Sequence, residues 1–158
     1  MKNLALLICV YFAIASSALA QLSGTLDGGF VIKKDGLYGV IDRLGNEVVS
    51  CDYKEVKFDK TLNVYFVKGD VGDYGVIDRL GNEIINCEYK EIRFDKDLKM
   101  FFVMNESQDW GLFDGLGNEI VSCDYKEINY SRGKKLLSII ADDGVEQFID
   151  ILNGESPN

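Results

Sequence analysis

The chemistry this chain could do rests first on its carboxylates, which recur in columns. Asp42, Asp78, Asp114 and Asp150 stand 36 residues apart. Glu47, Glu83 and Glu119 keep the same spacing, and so do Asp52, Glu88 and Asp124. Two acids about 5–9.5 Å apart can cleave a glycoside. A set of them can hold Ca²⁺, which wants about 6–8 oxygens. With 26 acids in the chain, some pair meets the first condition by accident. Nothing separates one pair from its copies, whereas an active site breaks the symmetry of a repeat. No catalytic residue is assigned. Asp42, Asn46 and Glu47 share one turn, but the acid density of a calcium loop is missing. Asp42 is better explained as the turn's own acceptor. There is no histidine, which removes the commonest general base and metal ligand. No metal site and no cofactor are expected.

Two other columns bear on binding. The aromatic sets are Tyr38/Tyr74/Trp110, Tyr53/Tyr89/Tyr125 and Phe58/Phe94/Tyr130. Exposed, they would stack on sugar rings; buried, they would fill the core, and small β units depend on aromatic bulk. Leu44, Leu80 and Leu116 fall at expected turn tips. Either each tip packs on the next unit, or the leucines mark a partner surface. The residues to check for binding are therefore Leu44, Leu80, Leu116, Tyr53, Tyr89, Tyr125 and Trp110. Cys51, Cys87 and Cys123 form a third column. Their odd number cannot close into a complete disulfide set. They read as small apolar residues facing a core. The alternative is one disulfide between neighbouring copies, which needs Cα atoms within about 7 Å.

The elements that must position these columns follow from the repeat. YGVIDRLGNEVVSCDYKE at 38–55 returns as YGVIDRLGNEIINCEYKE at 74–91 and as WGLFDGLGNEIVSCDYKE at 110–127. A worn copy, EQFIDILNG, starts at Glu146. Over 28 aligned positions the first two copies share 18 identities, and the first and third share 13. Each unit reads as strands. Leu37–Asp42 is short, aromatic and β-branched, Glu47–Tyr53 alternates with a period of two, and Asn63–Lys68 gives a third run. Asp42-Arg43-Leu44-Gly45 suits a type I turn with a left-handed Gly bulge. Asp59–Leu62 makes the second connection. Tyr53 and Val56 are three apart, which predicts a bend at Lys54-Glu55. The fold expected is all-β: tandem three-stranded antiparallel meanders in an open, twisted or propeller-like array. Stacked as a flat solenoid, like charges would lie about 4.7–4.9 Å apart. The copies must therefore stand further from one another.

An aromatic-Gly pair, an Ile-Asp turn with Gly, two apolar residues and then Tyr-x-x-Ile/Val resembles the WG-repeat family of bacteria. The resemblance covers nearly all of 30–152. Only Trp110-Gly111 keeps the name-giving pair; Tyr38-Gly39 and Tyr74-Gly75 replace it elsewhere. Where the family commonly has proline before the Tyr, this chain has Ser50-Cys51, Asn86-Cys87 and Ser122-Cys123. The resemblance implies an extracytoplasmic interaction module.

The first 20 residues carry Lys2, an apolar run from Leu4 to Ile14 and Ala18-Leu19-Ala20 before Gln21. That is the pattern of a cleaved secretory signal. The run is short for a membrane span, which needs roughly 20 apolar residues. The organisation expected is a signal at 1–20, a leader at 21–29, units at 30–65, 66–101 and 102–137, a partial capping unit at 138–154 and a tail at 155–158. Without Lys2 the balance is 16 basic against 26 acidic residues. That charge opposes nucleic acid and anionic lipid. The expectation is a secreted or periplasmic, non-catalytic module that binds a protein or a glycan. The alternative is a degenerate carbohydrate-active enzyme or a calcium-dependent glycan-binding module. Self-association through unpaired edge strands is a third route.

Overall fold

In a computed structural model of the chain, residues 23–25 and 29–150 are described. The expected signal, most of the leader, the end of the capping unit and the tail lie outside the described residues. Every regular element among the described residues is a strand, as the β-branched and aromatic runs predict. β1 (Ser23–Thr25), β2 (Gly29–Lys34), β3 (Leu37–Ile41) and β4 (Glu47–Tyr53) form one sheet in that order. β5 (Glu55–Asp59), β6 (Val64–Lys68), β7 (Tyr74–Asp78) and β8 (Glu83–Tyr89) form a second. β9 (Glu91–Asp95), β10 (Met100–Met104), β11 (Trp110–Asp114) and β12 (Glu119–Tyr125) form a third. β13 (Glu127–Ser131), β14 (Leu136–Ile140) and β15 (Glu146–Asp150) form the last. Equivalent acids therefore fall in separate sheets, which resolves the charge conflict of a flat stack. The chain divides into two compact units. One runs to Gly72 and takes in Val76–Glu83; the other takes Asp73–Gly75 and runs on from Ile84.

The bend at Lys54 does more than kink a strand. β4 closes the first sheet there and β5 opens the second, so each 36-residue copy supplies four strands where the sequence suggested three, and a full sheet gathers four. Lys90 and Lys126 are bends of the same kind. The N–H of each bend lysine stays paired. The Lys54 N–H donates to the Lys68 carbonyl at 2.7 Å, Lys90 to Met104 at 2.8 Å and Lys126 to Ile140 at 2.8 Å. A buried amide left unpaired would cost about 1–3 kcal/mol. The lysine side chains hold acids of the neighbouring hairpin loops. Lys54 Nζ lies 2.8 Å from Asp70, and Lys90 Nζ lies 2.6 Å from Asp73 and 3.8 Å from Glu106. Lys126 Nζ lies 2.5 Å from Asp109 and 3.0 Å from Asp142.

The second connection differs in detail from its sequence reading. Asp59 caps it, its Oδ1 accepting from Thr61 N and Leu62 N at 2.8 and 3.0 Å. The loop then closes one residue later, on a left-handed Asn63 at φ 61°. Lys99 and Lys135 take the same conformation at φ 56°. Asn accepts it more readily than most residues, and the lysines carry its strain.

In the first unit Val40, Val49, Val64, Tyr65, Val67, Val76 and Ile77 are buried. Phe58 packs on Tyr65 with ring centroids 5.0 Å apart. In the second, Phe102, Leu112, Val121, Ile128, Leu137 and Ile139 form one cluster drawn from the third and fourth sheets. Each such side chain contributes about 1.5–3 kcal/mol by leaving water. That shared core brings β9 and β10 alongside β13.

Candidate functional site

Three turn tips are built alike. The Asp42 carboxylate accepts from Leu44 N, Asn46 N and Asn46 Nδ2, each at 2.8 Å. Asp78 does the same for Leu80 and Asn82 at 2.7–2.9 Å, and Asp114 for Leu116 and Asn118 at 2.8–2.9 Å. Gly45, Gly81 and Gly117 follow at φ 86–90°, the left-handed position predicted from Asp-x-x-Gly. All three carboxyls are held below the ordinary carboxylate range. The side-chain amide of Asn46 is the main cause at Asp42, and that of Asn118 at Asp114. At Asp78 burial pulls the other way and is the largest single influence, but the hydrogen bonds from Asn82, Leu80 and Gly81 together outweigh it. These acids are consumed by their own turns. Among the described residues no three His, Cys, Asp or Glu side chains converge as metal ligands.

Each turn displays its leucine to solvent. Leu44 is 87 % exposed, and Leu80 and Leu116 are 84 % exposed. Two of the three tips meet the preceding repeat, and they do so through the glycine that follows, not through the leucine. A Cβ at Gly81 would collide with the Val48 carbonyl, and one at Gly117 with the Ile84 carbonyl.

The aromatic columns are half-buried throughout: Tyr38/Tyr74/Trp110, Tyr53/Tyr89/Tyr125 and Phe58/Phe94/Tyr130. Trp110 and Tyr125 pair across β11 and β12 and pack on the cluster around Leu112. Tyr89 meets Phe113 edge-on, with centroids 5.8 Å apart, and burial pushes its hydroxyl up to about 12.

The glycine of the aromatic-Gly pair has a packing reason. β4 bulges opposite Gly39, between the pairs Tyr38/Tyr53 and Val40/Val49. A Cβ at Gly39 would lie 2.6 Å from the Val49 carbonyl oxygen and 2.8 Å from Cys51 Sγ. Gly111 meets Cys123 in the same way. The three cysteines are half-buried, and Cys87 Sγ donates to the Asp73 carbonyl at 3.1 Å. Burial raises the Cys51 thiol and pushes Cys123 up to about 11. Cys51 and Cys123 are therefore poor nucleophiles.

One cleft, of about 290 Å³, opens where β9 and β10 run beside β13. Arg93, Phe94, Asp95 and Phe102 line one side, and Ile128, Asn129, Tyr130 and Arg132 the other. The Arg93 guanidinium lies 4.3 Å from the Trp110 ring centroid and 5.4 Å from that of Phe102. Arg132 pairs with Asp97 at 2.5 Å. Sequence reasoning passed over both arginines. The signal that would have found them is broken symmetry: the copies carry Lys57, Arg93 and Asn129 at one position, and Lys60, Lys96 and Arg132 at another.

The structure of the computationally designed Ika8 protein is similar to this chain at 19 % identity and a TM-score of 0.37. The match covers 85 % of this chain and 46 % of that one, so this chain spans about half its length. No curated protein matches the chain. A profile of the WG containing repeat matches residues 38–68, 74–106 and 110–136, more than half of the sequence. The bulge that excludes a side chain at Gly39 and Gly111 and the Asp-braced turn recur within those spans, and the chain belongs to the WG containing repeat family.

Proposed function

We propose that the chain is a non-catalytic, extracytoplasmic repeat module that binds a protein partner through the leucines at its turn tips. The observation that carries this reading is the exposure of Leu44, Leu80 and Leu116, at 84–87 %, on turns whose backbone is already braced by Asp42, Asp78 and Asp114. A large apolar side chain on a preformed turn loses little freedom when it is covered, so more of its burial energy appears as affinity. Three such tips on one chain add avidity without any new kind of contact. A glycan reading has less support. The Tyr53, Tyr89 and Tyr125 rings are half-buried, and the Arg93 guanidinium sits over the Trp110 ring that a sugar would need.

The test compares the mature chain with its L44S/L80S/L116S variant, in crosslinking to extracytoplasmic proteins and on a glycan array. The reading expects an unchanged melting temperature, protein crosslinks that disappear in the variant, and no glycan signal. Crosslinks that survive the triple substitution, or glycan binding by both proteins, overturn it. Light scattering across concentration then identifies whether the partner is a second copy.

A further inference from the structure

We infer that the cleft between β9–β10 and β13 is a second binding site, which takes a carboxylate side chain of a partner protein together with the apolar residue beside it. This borrows from the protein-partner reading only the class of ligand; it uses none of the leucine tips.

Arg93 is the one guanidinium at its repeat position, in a chain with an excess of acid. A strongly charged group on an acidic protein ordinarily finds a carboxylate. Among the described residues Arg93 has no ion-pair partner. Asp95 shares its strand and the cleft, but Asp95 Oδ1 already accepts from Asp97 N at 2.9 Å and Leu98 N at 3.0 Å. Arg132, on the opposite wall, is held by Asp97. Arg93 therefore brings an unspent planar fork of donors to the cleft.

The fork is also placed. Phe102 is its direct cross-strand neighbour, and the Phe102 and Trp110 rings support the guanidinium plane. Stacking of this kind leaves the N–H edge free while fixing its direction, and that edge matches a carboxylate bidentately. Phe102, Ile128 and Tyr130 supply an apolar floor beside it. A cation at the rim of an aromatic floor fits an acidic side chain with an apolar neighbour. A uronic acid would want an open ring face. Arg93 sits over Trp110, Phe102 is buried, and Phe94 is packed on Phe101 with centroids 4.8 Å apart.

The chain's single tryptophan reports on the site directly, because Arg93 lies over it. Trp110 emission is titrated with the blocked peptide Gly-Phe-Glu-Phe-Gly, its Gln analogue and an oligogalacturonate. The expected result is a saturable shift with the Glu peptide and binding weaker by about tenfold or more for the Gln peptide, the loss typical of a hydrogen-bonded charge. Arg93→Gln weakens the Glu peptide by a similar factor. Asn129→Glu does so too, by adding charge at an exposed position on the opposite wall, and it stands in if R93Q fails to fold. The L44S/L80S/L116S variant binds the peptide like the parent chain, so failure of the leucine reading leaves this result intact. The inference is overturned by any of four results: no saturable shift, equal binding of the Gln peptide, unchanged affinity in N129E, or a shift with oligogalacturonate alone.

Discussion

The sulfur of Cys123 fills the space where a side chain at Gly111 would begin: a Cβ there would stand 2.5 Å from Sγ. The nearest backbone atoms are more tolerant, with Val121 O at 3.0 Å and Cys123 N at 3.1 Å. Gly111→Ala is therefore expected to destabilise by about 1–3 kcal/mol through overpacking. Cys123→Ala in the same chain should recover part of that, giving a favourable coupling in a double-mutant cycle. Position 39 should behave differently. Its closest atom is the Val49 carbonyl oxygen at 2.6 Å, and removing Cys51 Sγ cannot move a backbone. Urea midpoints of the two cycles decide it, with rescue at 111 and none at 39.

The three turn glycines offer a graded series. All sit at φ 86–90°, so each alanine substitution carries left-handed strain of about 1 kcal/mol. At Gly45 no described atom lies within 4 Å of the added Cβ. At Gly81 and Gly117 it runs into the Val48 and Ile84 carbonyls. Gly45→Ala should cost about 1 kcal/mol, and G81A and G117A about 2 kcal/mol or more, since only the latter two add overpacking. Equal losses at all three positions in chemical denaturation would refute the inter-repeat contact.

Acid should act first on the turns. Asp42, Asp78 and Asp114 are all held below their ordinary value of 3.8. A lowered folded-state pKa gives stability that is complete above the unfolded value and is lost as pH falls through the folded one. The melting temperature should hold from neutral pH to about 4 and then drop. Replacing all three acids with Asn, itself a turn acceptor, should flatten that drop without altering the strands seen by circular dichroism.

Alkali acts on other groups, with the opposite sign. Burial raises Cys123 from 9.0 to about 11 and Tyr89 from 10.0 to about 12. Both are neutral acids in the fold, so the stability they contribute is complete below their unfolded values and lost as pH climbs through the folded ones. The fold should weaken from about pH 9 upward. In native protein at pH 8, Cys123 should react with a disulfide reagent far more slowly than in urea. Equal rates in the two states would show that the thiol is neither shielded nor shifted.

The bend lysines should not be equivalent. Asp73 and Asp109 keep only 14 % and 17 % of their side-chain surface, whereas Asp70 keeps 77 %. Lys90→Met and Lys126→Met strand a shielded carboxylate; Lys54→Met strands one already in water. The first two should lower the melting temperature clearly and the third hardly at all. Adding Asp73→Asn to K90M should restore most of the loss.

The parts legible in the sequence were those governed by neighbours a few residues apart. Asp42 and Gly45 specify their turn locally, and the structure has Asp42 as its acceptor and Gly45 at positive φ. Tyr53 and Val56 announced a bend. The change of sheet was not legible, because a kink inside one sheet breaks the alternation in the same way. Nothing about Lys99 or Lys135 signals positive φ; Asn63 alone hinted at it. For the turn leucines, exposure depended on whether Leu44 or Gly45 meets a neighbouring repeat, and spacing alone cannot choose between adjacent residues. Arg93 was hidden for a stronger reason: Phe102 and Trp110 reach it from the next two strands of its own sheet, and Ile128 joins the cleft only after the fourth sheet packs on the third.

The bends at Lys54, Lys90 and Lys126 set how an array of this kind can grow. A copy counted from its aromatic-Gly pair is not a copy counted by sheets; the two are out of phase by about half a repeat. A duplication that starts and stops anywhere inside the 36-residue period still inserts one whole sheet's worth of strands. Its first strand inherits the old bend and its last supplies a new one. Length can then change by whole units without matching the breakpoint to a domain border, so unequal recombination is structurally forgiving here.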